Sequence, residues 1–561
     1  MKKLIYIYII FTYALLINAQ PNIKWSKEFK SDGTGIGGSI YSDLKGNTYG
    51  ISSYYGQTVE LSPGYTYSAT GYNKPTLVFG VDSSNGTPTW VSEIKPIAGC
   101  GCNYGARSNL TKTDNSGNLL VAGYFCNCGT MAFGTQTLSA LSHQTFLAKY
   151  DKTGNLLWVK TKPDVNNGSS SADYYVDDIT SDEFDNIYLC INTNLSSNFA
   201  GVMIPKGSNL IKMSPNGNII WSQLTYNYNT PSQGIRLKKL QYISNRLYAS
   251  AVFFGNFTFS GHNFSCTNAY VDEAILKIDT AGNLINKMII SSTEEDAEFD
   301  LKLLPNASLV YFGRTSPISG PTTASLTVGT NTYSTINDYD KYYFIKLDTS
   351  LNVMDYKNFI ATNLNPYMLT NDLNNNLYLA ASNSLVNNSI DAITITNTGP
   401  NIIKIDNNLN AIDAFKSASY YVCADKDANL YTTTSSTSVT INAFGTSFTP
   451  SGPYAYSQYQ IKLGPLVTGI GNTGSRTSNA QIYPNPSANG IYNLKIGDII
   501  KQKHNIQITL TNNLGQSFNN ITYTIENNQT IQVNLANFAN GLYNITAIID
   551  GKSYSAKLEK E

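Results

Sequence analysis

The stretch FLAKYDKTGNLLWVK at Phe146–Lys160 is rewritten along most of the chain, and that repetition restricts the fold more than any other feature. It reads as strand, tight turn, strand: two alternating apolar runs around an Asp/Gly/Asn cluster, the sequence form of a β-hairpin. The unit returns as LIKMSPNGNIIWSQ at Leu210, ILKIDTAGNLINKM at Ile275, FIKLDTSLNVMDYK at Phe344 and IIKIDNNLNAIDAF at Ile402, with an earlier copy, LVFGVDSSNGTPTWVSEI, at Leu77. Recurrence at a near-constant period marks a repeat architecture.

Each period holds a second hairpin. Its copies are YSDLKGNTYGI at Tyr41, KTDNSGNLLVAG at Lys112, TSDEFDNIYLC at Thr180, YISNRLYAS at Tyr242, LLPNASLVYFG at Leu303, TNDLNNNLYLA at Thr370 and CADKDANLYTT at Cys423. Aligned on Tyr49, Leu120, Tyr188, Tyr248, Val310, Tyr378 and Tyr431, they are spaced by 53 to 71 residues. Two hairpins per period make a four-stranded antiparallel sheet, and seven such sheets predict an all-β, seven-bladed β-propeller. The last copy of the first-quoted hairpin, QIKLG at Gln460, stops after one strand. Its missing partner stands at the other end of the chain as NIKWSKEF, Asn22–Phe29. Pairing the two would close the ring and remove its exposed edges.

In this topology the short Asp/Gly/Asn turns share one face. The longer segments Cys126–His143, Pro163–Tyr174, Gly255–Tyr270 and Ser291–Phe299 fall on the other, where a rigid frame would present variable loops to a ligand. The repeated Asp-x-x-Gly-Asn turns themselves read as backbone chemistry, not as ligands.

Residues 1–19 have two lysines, an apolar core and a small residue at Ala19, the pattern of a signal peptide cleaved after that residue. No later stretch is apolar enough to span a bilayer, so no transmembrane segment is expected in the mature chain. The propeller is expected over 20–464, a Gly/Ser/Thr-rich linker over 465–478, and a compact Ig-like β-sandwich over 479–561. Lys+Arg and Asp+Glu are equal at 38 each, which argues against nucleic acid as a partner.

The last module resembles the type A C-terminal sorting domain of the type IX secretion system of Gram-negative bacteria. The matching residues are Tyr483, Pro484, Asn485 and Pro486, then Leu514, Gly515 and Gln516, then Asn540, Gly541, Leu542 and Tyr543. The close, Asp550, Gly551 and Lys552 with Lys557, Leu558, Glu559 and Lys560, also matches. Asn544-Ile545 departs from the apolar continuation usual there. The resemblance implies export across the outer membrane, the secretion machinery and its sortase as partners, and a secreted or cell-surface address. The repeats are similar to propeller repeats often joined to such domains. Asp82–Gly86 with Trp90 also resembles the blade motif of quinone-dependent dehydrogenases, which in that family holds blades together.

Candidate chemistry is sparse. Cys100, Cys102, Cys126 and Cys128 could form two disulfides, hold zinc, or remain thiols; an exported protein favours disulfides. Cys190, Cys266 and Cys423 read as strand residues. His143, His262 and His504 read as solvated loop histidines with no partners at catalytic spacing. Two acidic groups, Asp173, Asp177 and Asp178, and Glu294, Glu295, Asp296, Glu298 and Asp300, read as blade-to-blade loops converging near the axis. They form the candidate ligand site, suited to calcium or to acid/base work on a glycan, although no calcium-loop spacing is present. No resident cofactor, catalytic residue or metal site is expected beyond that. The reading is a non-enzymatic binding or adhesion protein for an extracellular glycan or protein. The alternatives are a glycosidase or lyase using the acidic residues with a Tyr or Arg (Arg107 or Arg314), or a structural surface component.

Overall fold

A computed structural model describes residues 21–465 and 481–561, apart from the segments 33–35, 55–57, 63–64, 69–74, 98–105, 126–128, 141–142, 165–175, 194–195, 230–232, 267–270, 293–294, 317–324, 335–340, 360–363, 385–387, 391–392, 396–397, 418, 437–439, 451–455, 496–505, 513–516, 519–520, 528–529 and 550–551. Every regular element among the described residues is a strand, and the chain divides into two units, Met1–Gly469 and Ile470–Glu561.

The first unit contains seven successive four-stranded antiparallel meanders. The first comprises Ile36–Ser42, Thr48–Tyr54, Thr76–Val81 and Pro88–Pro96; the second Ala106–Thr113, Leu119–Phe125, His143–Tyr150 and Leu156–Asp164. The third comprises Val176–Ser181, Ile187–Thr193, Gly207–Met213 and Ile219–Tyr226; the fourth Gly234–Ile243, Arg246–Phe254, Asp272–Asp279 and Leu284–Ser291. The fifth comprises Glu295–Leu303, Leu309–Ser316, Lys341–Leu347 and Val353–Phe359; the sixth Leu364–Asn371, Leu377–Asn383, Gly399–Ile405 and Ala411–Lys416. The seventh takes Cys423–Ala424, Leu430–Ser436 and Tyr456–Leu463 from one end of the unit and Ile23–Ser31 from the other. Trp25 stands opposite Lys462 and Phe29 opposite Gln458, so the N-terminal strand pairs where its sequence suggests. Burial of Trp25 and Phe29 against Val59, Leu77 and Phe79 drives that pairing.

From the second meander onward each first strand lies against the next first strand, and that of the seventh lies against that of the first. The Cys423 thiol stitches this last seam: its Sγ accepts from the Ser42 amide at 3.2 Å and donates to the Ile40 carbonyl at 3.4 Å. Burial pushes that thiol up to about 12, which keeps it protonated for the donation.

The hairpin turns explain the repeat. In Asp151–Asn155, Asp151 Oδ1 accepts the amides of Thr153 and Asn155 at 2.8 and 2.9 Å. Its Oδ2 accepts Asn155 Nδ2 at 2.8 Å, while Gly154 takes a φ of 90°. The same closure recurs at Asp114, Asp279, Asp348, Asp372 and Asp425. These carboxylates are therefore consumed by their own turns.

The lysine two residues before the turn aspartate is an inter-meander latch. Lys149 Nζ pairs with Asp114 at 2.7 Å within its own meander and donates to the Pro215 carbonyl of the next at 3.2 Å. Lys277 and Lys346 reach Thr349 and Asn407 carbonyls in the same way, and Lys462 joins Asp425 to Ser83 across the closing seam.

The connections between second and third strands differ from the sequence reading. Segments read as irregular ligand-presenting loops, Cys126–His143 and Gly255–Tyr270, contain the hairpins Gly129–Phe133/Gln136–Ala140 and Phe257–Phe259/His262–Phe264. All seven meanders carry such a hairpin, and three of them pair with the fourth strand of the preceding meander. An unpaired outer strand is an aggregation edge; these hairpins cover it. Met131 and Phe133 are buried against Phe125 and Phe146, which is why the segment folds back instead of standing free.

The second unit is two four-stranded antiparallel sheets around one core that includes Tyr492, Leu494, Ile508, Leu510, Val533, Ile545 and Tyr554. Alternation of buried and exposed residues along Ile491–Lys495 and Gly541–Ile549 gives each sheet one apolar face.

Candidate binding cavity

All seven first strands of the first unit contribute to the lining of one cavity of ≈1050 Å³. Its wall is shaped by a β-bulge that recurs in five of them. The register shifts between Ser108 and Leu110, Val176 and Asp178, Leu237 and Lys239, Glu298 and Asp300, and Pro366 and Met368. A bulge re-aims the side chains that follow it. Here those side chains are Leu110, Asp178, Lys239, Asp300 and Met368, all of them lining the cavity.

Charge on the wall is paired, across strands for Lys112 and Asp178 and within one strand for Lys302 and Asp300. Lys112 Nζ lies 3.2 Å from Asp178 Oδ1, and Asp178 Oδ2 accepts the Leu240 amide of the following first strand at 3.0 Å. Lys302 Nζ lies 3.0 Å from Asp300 Oδ1, and Asp300 Oδ2 accepts the Leu369 amide of the following first strand at 3.3 Å. Each aspartate therefore staples two neighbouring strands. Burial alone would raise the Asp178 carboxyl; Lys112, then Lys239 and the Leu240 amide, outweigh it and hold it below the usual carboxylate range. Burial lowers the Lys302 ammonium, with Asp300 opposing.

The two adjacent aspartates have different surroundings. Asp177, the bulge residue, accepts from Asn192 Nδ2, whose Oδ1 in turn accepts the Tyr228 hydroxyl. Burial pushes its carboxyl up to about 6, against the opposing pull of Lys238 and Arg236. Both aspartates stand in the strand Val176–Ser181 and not in a loop, and Glu295 and Asp296 open the strand Glu295–Leu303. The physical reason is that strand pairing to Ile187–Thr193 and Leu309–Ser316 satisfies the backbone of Asp178, Glu295 and Asp296, which a loop would leave to solvent. Asp173 and Glu294 lie outside the described residues, as do Cys100, Cys102, Cys126 and Cys128. Cys190 and Cys423 are buried free thiols in strands, whereas Cys266 follows the strand His262–Phe264 and does not lie in one.

The remaining described candidates lie in strands. Arg107 sits in a first strand opposite Tyr124, and Arg314 in a second strand opposite Ala297 and Tyr342. His143 opens a third strand. His262, read as a solvated loop residue, instead lies in a hairpin with its Nε2 donating to the Leu284 carbonyl at 3.1 Å. His504 lies outside the described residues. No cluster of three metal-ligating side chains occurs among the described residues.

Three residues that sequence reasoning passed over stand at the cavity. Tyr367 is the bulge residue of the sixth first strand, and Tyr420 and Tyr421 lead into the seventh. Their exposures are 57%, 36% and 53%, and the rings of Tyr367 and Tyr420 lie 4.2 Å apart between centroids. A chain with 40 tyrosines hides this signal, because most of the others pack in strands.

In the second unit, Asn485 binds the last strand. Its Nδ2 donates to the Lys557 carbonyl at 2.9 Å and its Oδ1 accepts the Glu559 amide at 2.8 Å. Tyr483 ends the strand Gln481–Tyr483, and Pro484 and Pro486 flank Asn485. Gly541, Leu542 and Tyr543 open Gly541–Ile549, where the buried Tyr543 donates to the Ala539 carbonyl at 2.7 Å and Leu542 is exposed. Leu558 is buried in Lys552–Lys560, between the exposed Lys557 and Glu559. Leu514, Gly515, Gln516 and Gly551 lie outside the described residues. The first and last motifs are thus one contact.

An all-β protein with a paired-charge cavity in its first unit and a motif-locked sandwich in its second is the class these features define. Residues 481–561 match the secretion system C-terminal sorting domain. The protein is therefore directed to type IX secretion and to a secreted or outer-membrane cell-surface location, with the type IX machinery as a partner. No helix among the described residues is long and apolar enough to cross a membrane. Among curated proteins no relative matches the chain. Among solved structures it is similar to the plexin A4 full extracellular region: for domains 1 to 8, at 8% identity, over 96% of this chain and 62% of that one, with a TM-score of 0.34. For domains 1 to 10 the identity is again 8%, over 96% of this chain and 53% of that one, with a TM-score of 0.34. The chain spans less than two thirds of either.

Proposed function

We propose that the first unit is a seven-bladed β-propeller, spanning residues 20–464 and joined by the linker 465–478 to the sorting domain 479–561, and that it is a non-enzymatic binding or adhesion module for an extracellular glycan or protein. The observation that carries this reading is the state of the cavity carboxylates. Asp178 and Asp300 each have one oxygen on a lysine and the other on a backbone amide of the neighbouring strand. A general acid needs a raised pKa and a base needs a free lone pair facing substrate; a stapled, depressed carboxylate such as Asp178 meets neither requirement. Asp177, whose carboxyl is raised, does not line the cavity, and what remains there is a rigid, polar concavity suited to recognition. Asp177, Glu295 and Asp296 stand at strand starts, at the ends away from the tight turns, and we place the outer part of the ligand site there, with Asp173 and Glu294, which lie outside the described residues, as further members and calcium as the ion that would suit it. Disulfides among Cys100, Cys102, Cys126 and Cys128 would brace the same end of the second blade.

The test is thermal denaturation of the purified chain with a panel of polysaccharides, with calcium and with chelator, followed by product analysis. A raised melting temperature with one polymer and no product supports the binding module. Released oligosaccharide would establish the competing glycosidase or lyase.

A further inference from the structure

The only tyrosines of the first unit that are exposed among its described residues are Tyr367, Tyr420 and Tyr421, and all three meet at one place, the cavity wall of the sixth and seventh meanders. Exposed aromatic surface is unfavourable in water, and three rings gathered at one opening form a patch of the kind that marks an interaction site. The wall contributed by the second to fifth meanders is of opposite character: Lys112, Asp178, Lys239, Asp300 and Lys302, held in place by the cross-strand pairing described above.

From this juxtaposition we infer that the cavity binds the terminal pyranose of a saccharide chain, stacked on Tyr367, which Tyr420 braces. The inference rests on the binding-module reading and adds the ligand class and the place. A pyranose has one apolar C–H face and an equatorial fringe of hydroxyls. Tyr367 and Tyr420 pack on one another, with centroids 4.2 Å apart and an interplanar angle of 33°; Tyr420 braces the ring of Tyr367, which is 57% exposed and offers its outer face to the apolar face of the sugar. The hydroxyl fringe supplies acceptors to the ammonium groups across the cavity, Lys112, Lys239 and Lys302. An apolar peptide side chain in the same position would desolvate those charges without replacing their water. All seven first strands line the cavity, so a polymer enters it end first. The bulges make the site rigid before the ligand arrives: Tyr367 is itself the extra residue of its strand.

Isothermal titration of the full chain with cellotetraose, maltotetraose, chitotetraose and a galacturonate tetramer tests it. At least one should bind, with affinity reduced tenfold or more by Tyr367→Ala and by Tyr420→Ala and largely retained by Tyr367→Phe. Unchanged melting temperatures for these exposed positions would confirm that the variants fold. Binding indifferent to both alanine changes overturns the inference and leaves the binding-module reading standing. Failure of all four sugars also overturns the inference; the wider reading is then decided by the polysaccharide and product experiments above. Tyrosine-dependent capture of a protein in place of sugar would overturn the ligand class.

Discussion

Gly154 lies directly beneath the indole of Trp90: a Cβ built there would stand 2.5 Å from the ring. Trp90 Nε1 donates to the Lys152 carbonyl of the same turn at 2.8 Å. The pair repeats as Trp25 on Gly86, Trp158 on Gly217 and Trp221 on Gly282, each indole donating to a carbonyl in the next meander's turn. Where the fourth strand lacks a tryptophan, the glycine goes too. Asn286 donates to the Ser350 carbonyl, and the left-handed position beside it is Leu351. Asp355 occupies the tryptophan position of the fifth meander, and the next turn has Leu409, also left-handed. Leu351 and Leu409 are buried, so each side chain fills the space an indole fills elsewhere.

Trp90→Asn and Gly154→Leu should therefore each destabilise, by about 2–4 kcal/mol. The double change should be milder than their sum by about 1 kcal/mol or more, because it recreates the Asn286/Leu351 arrangement. A double-mutant cycle in denaturant measures this, and strict additivity would count against size complementarity as the cause.

Removing the N-terminal strand should destabilise the seventh meander first. Ile23–Ser31 covers the last strand, where Tyr459, Ile461 and Leu463 are buried. Trp25→Ala with Phe29→Ala should cost about 5 kcal/mol or more and raise hydrogen exchange in Tyr456–Leu463 ahead of the other meanders. Uniform exchange across all seven would contradict a stabilising role for this strand pairing.

Asp178→Asn leaves Lys112 without its carboxylate and is expected to cost about 3 kcal/mol at neutral pH. Because the folded carboxyl is held below its ordinary value, its contribution is fully present above the unfolded pKa and disappears as pH falls through the lower folded value. The mutant and parent stabilities should therefore converge toward acid pH, which chemical denaturation across pH reads directly.

Asp177 has the opposite sign. With a folded value of about 6 against an ordinary 3.8, the native state binds the proton more tightly than the unfolded chain. Stability on its account falls as pH rises between those two values and stays low above them. Asp177→Asn should stabilise by on the order of 2 kcal/mol near pH 8 and by little near pH 4. Equal effects at both would rule out a titrating Asp177.

Deleting 481–561 should abolish transfer across the outer membrane, leaving the first unit in the periplasm. Asn485→Ala, which releases the Lys557 and Glu559 backbone, should loosen the last strand and reduce export in the same fractionation assay. Surface display unchanged by the deletion would separate this domain from sorting.

Local periodicity was enough to locate the hairpins, the Asp-x-x-Gly-Asn turns and the partnership of NIKW with QIKLG. Strand alternation and turn chemistry act between near neighbours, so they are written into short stretches. The second-to-third-strand hairpins were missed because their short runs are indistinguishable from polar loop until Met131 and Phe133 find Phe125 and Phe146 beneath them. The acidic group at Asp177 and Asp178 was visible as charge, but not as one strand whose bulge sends the residues into different surroundings. Tyr367 and Tyr420, 53 positions apart in sequence, become a tilted pair in contact only when the sixth and seventh first strands lie side by side. Sequence by itself determined the repeat, its turns and the exported address, since each depends on residues within a few positions of one another. Tertiary structure alone decided which carboxylates are spent on strand pairing and which aromatic rings face solvent, because burial is a property of what the rest of the chain brings alongside.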